Sequence, residues 1–260
     1  MLRLFPIPVV VTSRCLGFDA CRFDGNRVAF PWAERWKGFV NFRCICPEMD
    51  MGLGVPRPAM RLVQQAEGVR LMTPGTGEDQ TDRLKAFTRA WLDDLPQADG
   101  FILKEKSPSC GIRHAKRFRG LHDTEAFGSG PGLFAEAALE RYFLKPTADE
   151  HALEQPAARE AFLVRLFASA ALAQARRGQC LEALQKVRER YRPLVAAIWK
   201  ERAEELDRLL APAEWTSFDR IADAFEEGLL GALKRWPAGG VAAAGDGGRH
   251  LYPEALQFPG

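Results

Sequence analysis

Three short apolar runs in this chain each deliver a cysteine just past their C-terminal end. The runs are Ile7–Thr12, Phe39–Cys46 and Phe101–Glu105, and the cysteines are Cys15, Cys46 and Cys110. Runs of this length, rich in Val, Ile and Phe, suit buried strands. A fourth run, Val69–Thr73, precedes a segment, Asp79–Leu95, whose apolar Leu84, Phe87, Trp91 and Leu95 recur at helical steps. Strands alternating with a helix predict an α/β fold, a Rossmann-like parallel sheet with helices on its faces. In such a sheet the strand C-termini share one rim, where ligands bind. The three thiols can therefore converge although none is a sequence neighbour of another.

The third run makes the most specific local statement. In FILKEKSPSCG, residues 101–111, the apolar residues give way to Lys104 and Lys106, and the chain breaks at Pro108. Ser109, Cys110 and Gly111 follow directly. In the second run, alternation puts Val40, Phe42, Cys44 and Cys46 on one face. Pro47 cannot extend a ladder, so that strand ends near Cys46. Cys44, one layer inward, reads as a core residue.

The loop Gly128–Gly132 reads as a boundary between an α/β domain, residues 1–130, and a helical domain, residues 131–260. Helical patterns follow at Leu133–Phe143, Ala157–Arg177, Cys180–Leu210 and Ala213–Trp236. Pro193 is placed to kink or divide the third. Their apolar spacing suits an all-α bundle. From about 237 the composition, PAGGVAAAGDGG, is that of a flexible tail. Leu251, Tyr252, Leu256 and Phe258 could dock its end back.

The chain has 260 residues, 47% hydrophobic and 27% charged, enough for a core without staples. No apolar run approaches the length of a membrane span. Pro6 and Pro8 interrupt the apolar N-terminus, which lacks the pattern of a secretory signal. Six cysteines in such a chain read as reduced thiols of a cytoplasmic protein, some of them metal ligands. Charge is uneven. The first 130 residues carry 19 Lys and Arg against 15 Asp and Glu, the remainder 17 against 19. Lys104, Lys106, Arg113, Lys116, Arg117 and Arg119 form a basic cluster that can meet phosphate or simply face solvent.

Three thiolates without a local fourth ligand allow two readings. One is a zinc site with an open position. The other is an iron–sulfur cluster with one iron free of protein ligand. No CxxC loop and no zinc-like histidine spacing is present, which favours the cluster and leaves zinc as the alternative. Glu48, two residues after Cys46, and Ser109, beside Cys110, could then deprotonate and position a water. Arg57 and Arg61 could contact a ring or phosphate, or form structural ion pairs. Candidate substrate contacts are Ser13, Asp24, Arg57 and Ser107.

TSRCLGFDACRFDG, CPEMDMGLGVPRP with MRLV following, TGEDQT and FILKEKSPSCG occur in this order over about residues 7 to 120. Together they resemble the thiouracil desulfidase family. The resemblance implies an oxygen-labile [4Fe-4S] cluster on Cys15, Cys46 and Cys110, with Glu48 and Ser109 catalytic. It implies that the open iron takes the sulfur of a thiolated pyrimidine, that water replaces it at carbon without net redox, and that sulfide is released. The family's usual tyrosine of the RYDG motif is Phe23 here. GPGLFAEAALERY and the helices after it are similar to longer members with a second, helical domain. Those are linked to sulfur removal from 4-thiouridine, including in transfer RNA. The expected substrate is a free 4-thio- or 2-thiopyrimidine, with thiolated transfer RNA as the second possibility. A redox-sensing or binding protein without turnover is the alternative from a different class.

Overall fold

A computed structural model describes residues 5–211, 217–235, 251 and 253. Strand β1, Val9–Ser13, lies at the centre of the fold, and the short helix α1, Trp32–Arg35, follows it. Strand β2, Asn41–Ile45, pairs parallel with β1 and leads into a single helical turn, α2, Pro47–Asp50. Val10 and Val11 are fully buried, as are Phe101, Ile102 and Leu103, so the two predicted apolar runs are the middle of the sheet.

The fourth predicted strand has a different place. Residues Arg61–Gln65, strand β3, and Gly68–Met72, strand β4, form an antiparallel hairpin about the turn Ala66-Glu67. They belong to a second sheet, so Val69–Thr73 is not a parallel neighbour of β1. A two-residue connection permits only antiparallel pairing, whereas a parallel strand needs a crossover of a dozen residues or more. The amphipathic helix α3, Thr81–Asp93, supplies that crossover to β5, Gly100–Ile102, which pairs parallel with β1.

After β5 come β6, Ala115–Phe118, and β7, Gly128–Gly130, which complete the second sheet in the order β4-β3-β6-β7. Helix α4, Leu133–Arg141, packs beside α3, burying Phe134 and Ala138 with Leu92 and Phe101. Strand β8, Thr147–Ala148, then pairs parallel with β5, closing the first sheet as β2-β1-β5-β8. After the boundary expected at residue 130, α4 begins at Leu133 and β8 then returns the chain to the parallel sheet. This is an α/β fold with a helical part, as the alternation predicted.

The helical part comprises α5, Pro156–Arg177, α6, Leu181–Ile198, α7, Lys200–Leu209, and α8, Phe218–Leu233. Pro193 lies inside α6 and does not divide it. The chain breaks instead at Trp199, whose indole has Arg235 and Arg202 over it at 3.6 and 4.5 Å. The helices are not a separate bundle. Val10, Trp36 and Ile102 share one core with Phe162, Leu172 and Phe225, and Trp36 stacks on Phe162 at 6.2 Å. The Tyr191 hydroxyl donates to the carbonyl of Leu251, itself 2% exposed, so that point of the tail does dock. The docking expected through Tyr252, Leu256 and Phe258, and the stretch 237–248, lie outside the described residues. No helix among those described is long and apolar enough to cross a membrane.

Candidate functional site

The rim formed by the ends of β1, β2 and β5 opens on a cavity of about 410 Å³. Cys15, Cys46 and Cys110 all line it. Each arrives there by its own route. Cys15 follows β1 in a turn closed by Leu16 N donating to the Ser13 carbonyl at 2.9 Å. Cys46 precedes α2, and its amide donates to Asp50 Oδ2, a carboxylate that also receives Arg14. The Cys110 amide donates to Ser107 Oγ at 3.0 Å, as Ser109 N does at 3.2 Å. Ser107 thus shapes the turn that presents the thiol, a local side-chain capping role.

The expectation that Cys44 is core is corrected to half-buried. The strand β2 is the edge of its sheet, and Phe42 and Cys44 on it are half-buried while Ile45 is fully buried. Burial raises the Cys44 thiol above its ordinary range. Cys180 is exposed at the start of α6.

A fourth thiol joins the site. Cys21 is 1% exposed, lines the cavity and packs on Cys15 and Cys46, with Met49 alongside. The sequence reading left it unassigned. Its signal was its place inside the motif that carries Cys15. The contact with Cys15 pushes the Cys21 thiol up to about 11. The contact with Cys21, and then burial, raise the Cys46 thiol. Burial alone is the main cause for Cys110, with Glu48 and Cys46 acting in the same direction. Thiols held protonated release those protons when they take a metal.

Glu48 faces the cavity from the first turn after Cys46, its side chain 12% exposed. Oε2 accepts from Arg57 Nε at 2.9 Å and from Arg57 Nη2 in a shorter contact. Oε1 accepts from the Ser109 hydroxyl at 2.8 Å. A carboxylate has about four acceptor positions, so Glu48 retains capacity for a water. Ser109 is 0% exposed and touches Glu48 rather than the cavity surface. Arg57 also donates from Nη1 to the carbonyls of Cys21 and Gly54, at 3.1 and 2.9 Å. One guanidinium therefore fixes both the carboxylate and the segment bearing Cys21.

The remaining expected residues are distributed unevenly. Ser13 lines the cavity and its Oγ accepts from Lys104 N at 2.9 Å. Asp24 pairs with Arg22 at 3.4 Å and accepts from the amide of Asn26, which places it in a surface turn. Phe23 lines the cavity at 40% exposure. Arg61 donates to the Asp123 carbonyl, lies over the Phe118 ring and borders a second cavity. Of the basic cluster, Lys104 is tied to the buried Glu150. Lys106 and Lys116 flank a second cavity of about 420 Å³, which shares Ala59, Met60, Lys106 and Pro108 with the first.

A thiol-lined rim on a parallel α/β sheet is the arrangement of a ligand-binding α/β protein. The model of the 2-thiouracil desulfurase family matches residues 10–150, and the chain belongs to that family. It is 30% identical over 114 residues to an uncharacterised protein of Bacillus subtilis (strain 168), YbbK, covering 40% of this chain and 73% of that one. A solved structure of a [4Fe-4S]-dependent thiouracil desulfidase, TudS, is 27% identical. It covers 56% of this chain and 93% of its own, at a TM-score of 0.45.

Proposed function

We propose that this protein converts the C=S of a thiolated pyrimidine to C=O and releases sulfide, with Cys15, Cys46 and Cys110 holding a [4Fe-4S] cluster. The observation that carries this reading is the gathering of those three thiols, with Glu48, around one cavity. The donor set is soft and sulfur-only, which suits iron–sulfur chemistry.

Held by Cys15, Cys46 and Cys110, the cluster would supply a thiophilic Lewis-acidic iron able to polarise a C=S bond. The chain supplies the rest. Glu48 accepts a proton from a water in the cavity as that water attacks carbon. Ser109 and Arg57 hold the carboxylate in place. Atoms balance as thione plus water giving carbonyl plus hydrogen sulfide, and no electrons are transferred.

The substrate favoured by a cavity of about 410 Å³ is a free 4-thio- or 2-thiopyrimidine derivative. Thiolated transfer RNA is the second reading, supported by Lys106 and Lys116 at the adjoining cavity. Phosphate contacts dominate RNA affinity and make it salt-dependent. Turnover on 2-thiouracil, 4-thiouridine and thiolated transfer RNA across a salt series separates the two. Fast small-molecule turnover insensitive to salt supports the first. A much faster RNA reaction that falls steeply with salt, and is lost selectively in Lys116→Ala/Arg117→Ala, overturns it. A colourless protein with one zinc and no turnover on any of them would instead support the binding or sensing class.

A further inference from the structure

The reading above leaves Phe23 without a part, although it stands at the site. Large apolar side chains exposed among the described residues are Ile7, Phe18, Phe23, Phe127 and Phe143. Of these, Phe23 is the one that lines the thiol cavity. The other phenylalanines have partners outside that cavity. Phe18 packs on Phe42 at 5.2 Å, and Arg119 and Lys234 lie over Phe127 and Phe143. An exposed apolar residue standing singly on a surface needs no explanation. A ring 40% exposed in a cavity that also holds Cys15 and Glu48 is different, because a ligand entering there can cover it.

The ring is also held in place. The amide of Arg57 donates to the Phe23 carbonyl at 2.9 Å, and the guanidinium of the same residue holds Glu48. One residue therefore fixes Phe23 relative to the carboxylate that takes the proton. The turn that follows is closed by Gly25 N to the Arg22 carbonyl and by Asn26 N to Asp24 Oδ1, both at 3.0 Å. Gly25 has a φ of +75°, which a side chain would disfavour, so this turn is set locally. Arg22 lies over the Phe23 ring at 5.7 Å and pairs with Asp24 at 3.4 Å. An aromatic side chain has only two torsions to order when it meets a ligand, so a ring held this way binds at low entropic cost.

We propose that Phe23 is the platform on which the heterocycle of the substrate stacks, and that it sets the affinity of the site for a flat ring. This inference rests on the desulfidase reading above and deepens it. Every pyrimidine presents a π-face whatever its substituents, so such a platform accepts 2-thio and 4-thio rings alike. The polar groups of the cavity then decide which edge of the ring meets the thiol-lined rim. Stacking is made equally in the ground state and the transition state, and uniform binding of that kind governs KM rather than kcat.

Wild type, Phe23→Leu, which keeps apolar bulk without a flat face, Phe23→Ala and Phe23→Tyr, which keeps the ring, are reconstituted anaerobically with iron and sulfide. Iron content, KM and kcat for 2-thiouracil, and inhibition by the product uracil are measured. Phe23→Leu and Phe23→Ala should load iron as wild type does. Their KM should rise by about 5- to 100-fold, the range for loss of base–aromatic stacking, with a far smaller change in kcat. The inhibition constant of uracil should rise in parallel, since it reports binding without chemistry. Phe23→Tyr should keep a KM close to that of wild type. A Phe23→Leu protein with the KM and uracil inhibition of wild type overturns the platform while the desulfidase reading stands. So does a fall in kcat at unchanged KM, which would make the ring a support for Glu48. A cluster-replete wild type that releases no sulfide from 2-thiouracil or any other thiolated pyrimidine overturns the desulfidase reading, and this inference with it.

Discussion

Ser109 donates its hydroxyl hydrogen to Oε1 of Glu48 at 2.8 Å, joining the end of the β5 loop to the first turn after β2. Ser109 is fully buried and Glu48 borders the cavity, so the serine acts on the carboxylate from behind. A hydrogen bond to a charged group contributes about 1.5–3 kcal/mol. Ser109→Ala should therefore lower kcat by roughly 10- to 100-fold. Iron content should stay at the wild-type level. Loss of the cluster in this variant, measured by iron and sulfide analysis, would contradict a positioning role.

Glu48→Gln keeps the shape of the side chain and removes its capacity to take a proton. Turnover should fall by about 10²–10⁴-fold, the usual contribution of a general acid–base group. The cluster's absorbance should be unchanged. Full activity in cluster-replete Glu48→Gln protein would show that another group accepts the proton.

The cysteines should separate into two groups by absorbance after anaerobic reconstitution. Cys15→Ala, Cys46→Ala and Cys110→Ala should each weaken or abolish the cluster's visible band. Cys44→Ala and Cys180→Ala should retain it, because one is at the half-buried edge strand and the other is exposed on the helical part. A normal band in Cys110→Ala would remove β5 from the site.

Gly132 stands where the SPSCG loop meets the start of α4. A Cβ there would lie 2.6 Å from the Ser109 carbonyl carbon and oxygen. The same carbonyl accepts from the amides of Phe134 and Ala135, so it cannot withdraw without breaking those bonds. Gly132→Ala should destabilise the fold by about 1–3 kcal/mol, as overpacking does. It should also lower turnover by moving Ser109 away from Glu48. Unfolding in urea and the kcat of the folded fraction would check both.

Asp99 is 0% exposed, and burial holds its carboxyl above the ordinary range despite bonds from Val9 N and Gln97 Nε2. Oδ1 has no hydrogen-bond partner. A raised folded-state value means that the protonated form is favoured by folding. The contribution is complete below the unfolded value, near 3.8, and is lost as pH rises through the folded one. Asp99→Asn cannot ionise. As pH rises above about 4, its stability should gain on that of wild type. A constant difference across that range, measured by denaturant unfolding, would show that Asp99 titrates normally.

Much of this site was legible in the order of residues. Strands bury their apolar runs, and a parallel sheet puts the ends of those runs on one rim, so Cys15, Cys46 and Cys110 could be grouped before any coordinates were known. The residues adjoining them, Glu48 and Ser109, came with them, because a side chain one or two positions from a rim cysteine cannot be far from it. Pairings that depend on how loops cross in space were not legible. Val69–Thr73 follows Arg61–Gln65 through a two-residue turn and so pairs with β3, but that this hairpin joins a second sheet rather than the one holding β1 is decided only by the tertiary structure. Pro193 has the residue type of a helix breaker, yet α6 runs through it and ends at Trp199, beneath two arginines, one of them from beyond α8. Cys21 and Arg57 show the same limit. The sequence by itself supplied a thiol near Cys15 and a cation near Glu48. Only the tertiary structure decided that one guanidinium holds both segments, because its five donors meet carbonyl and carboxylate oxygens brought together by folding.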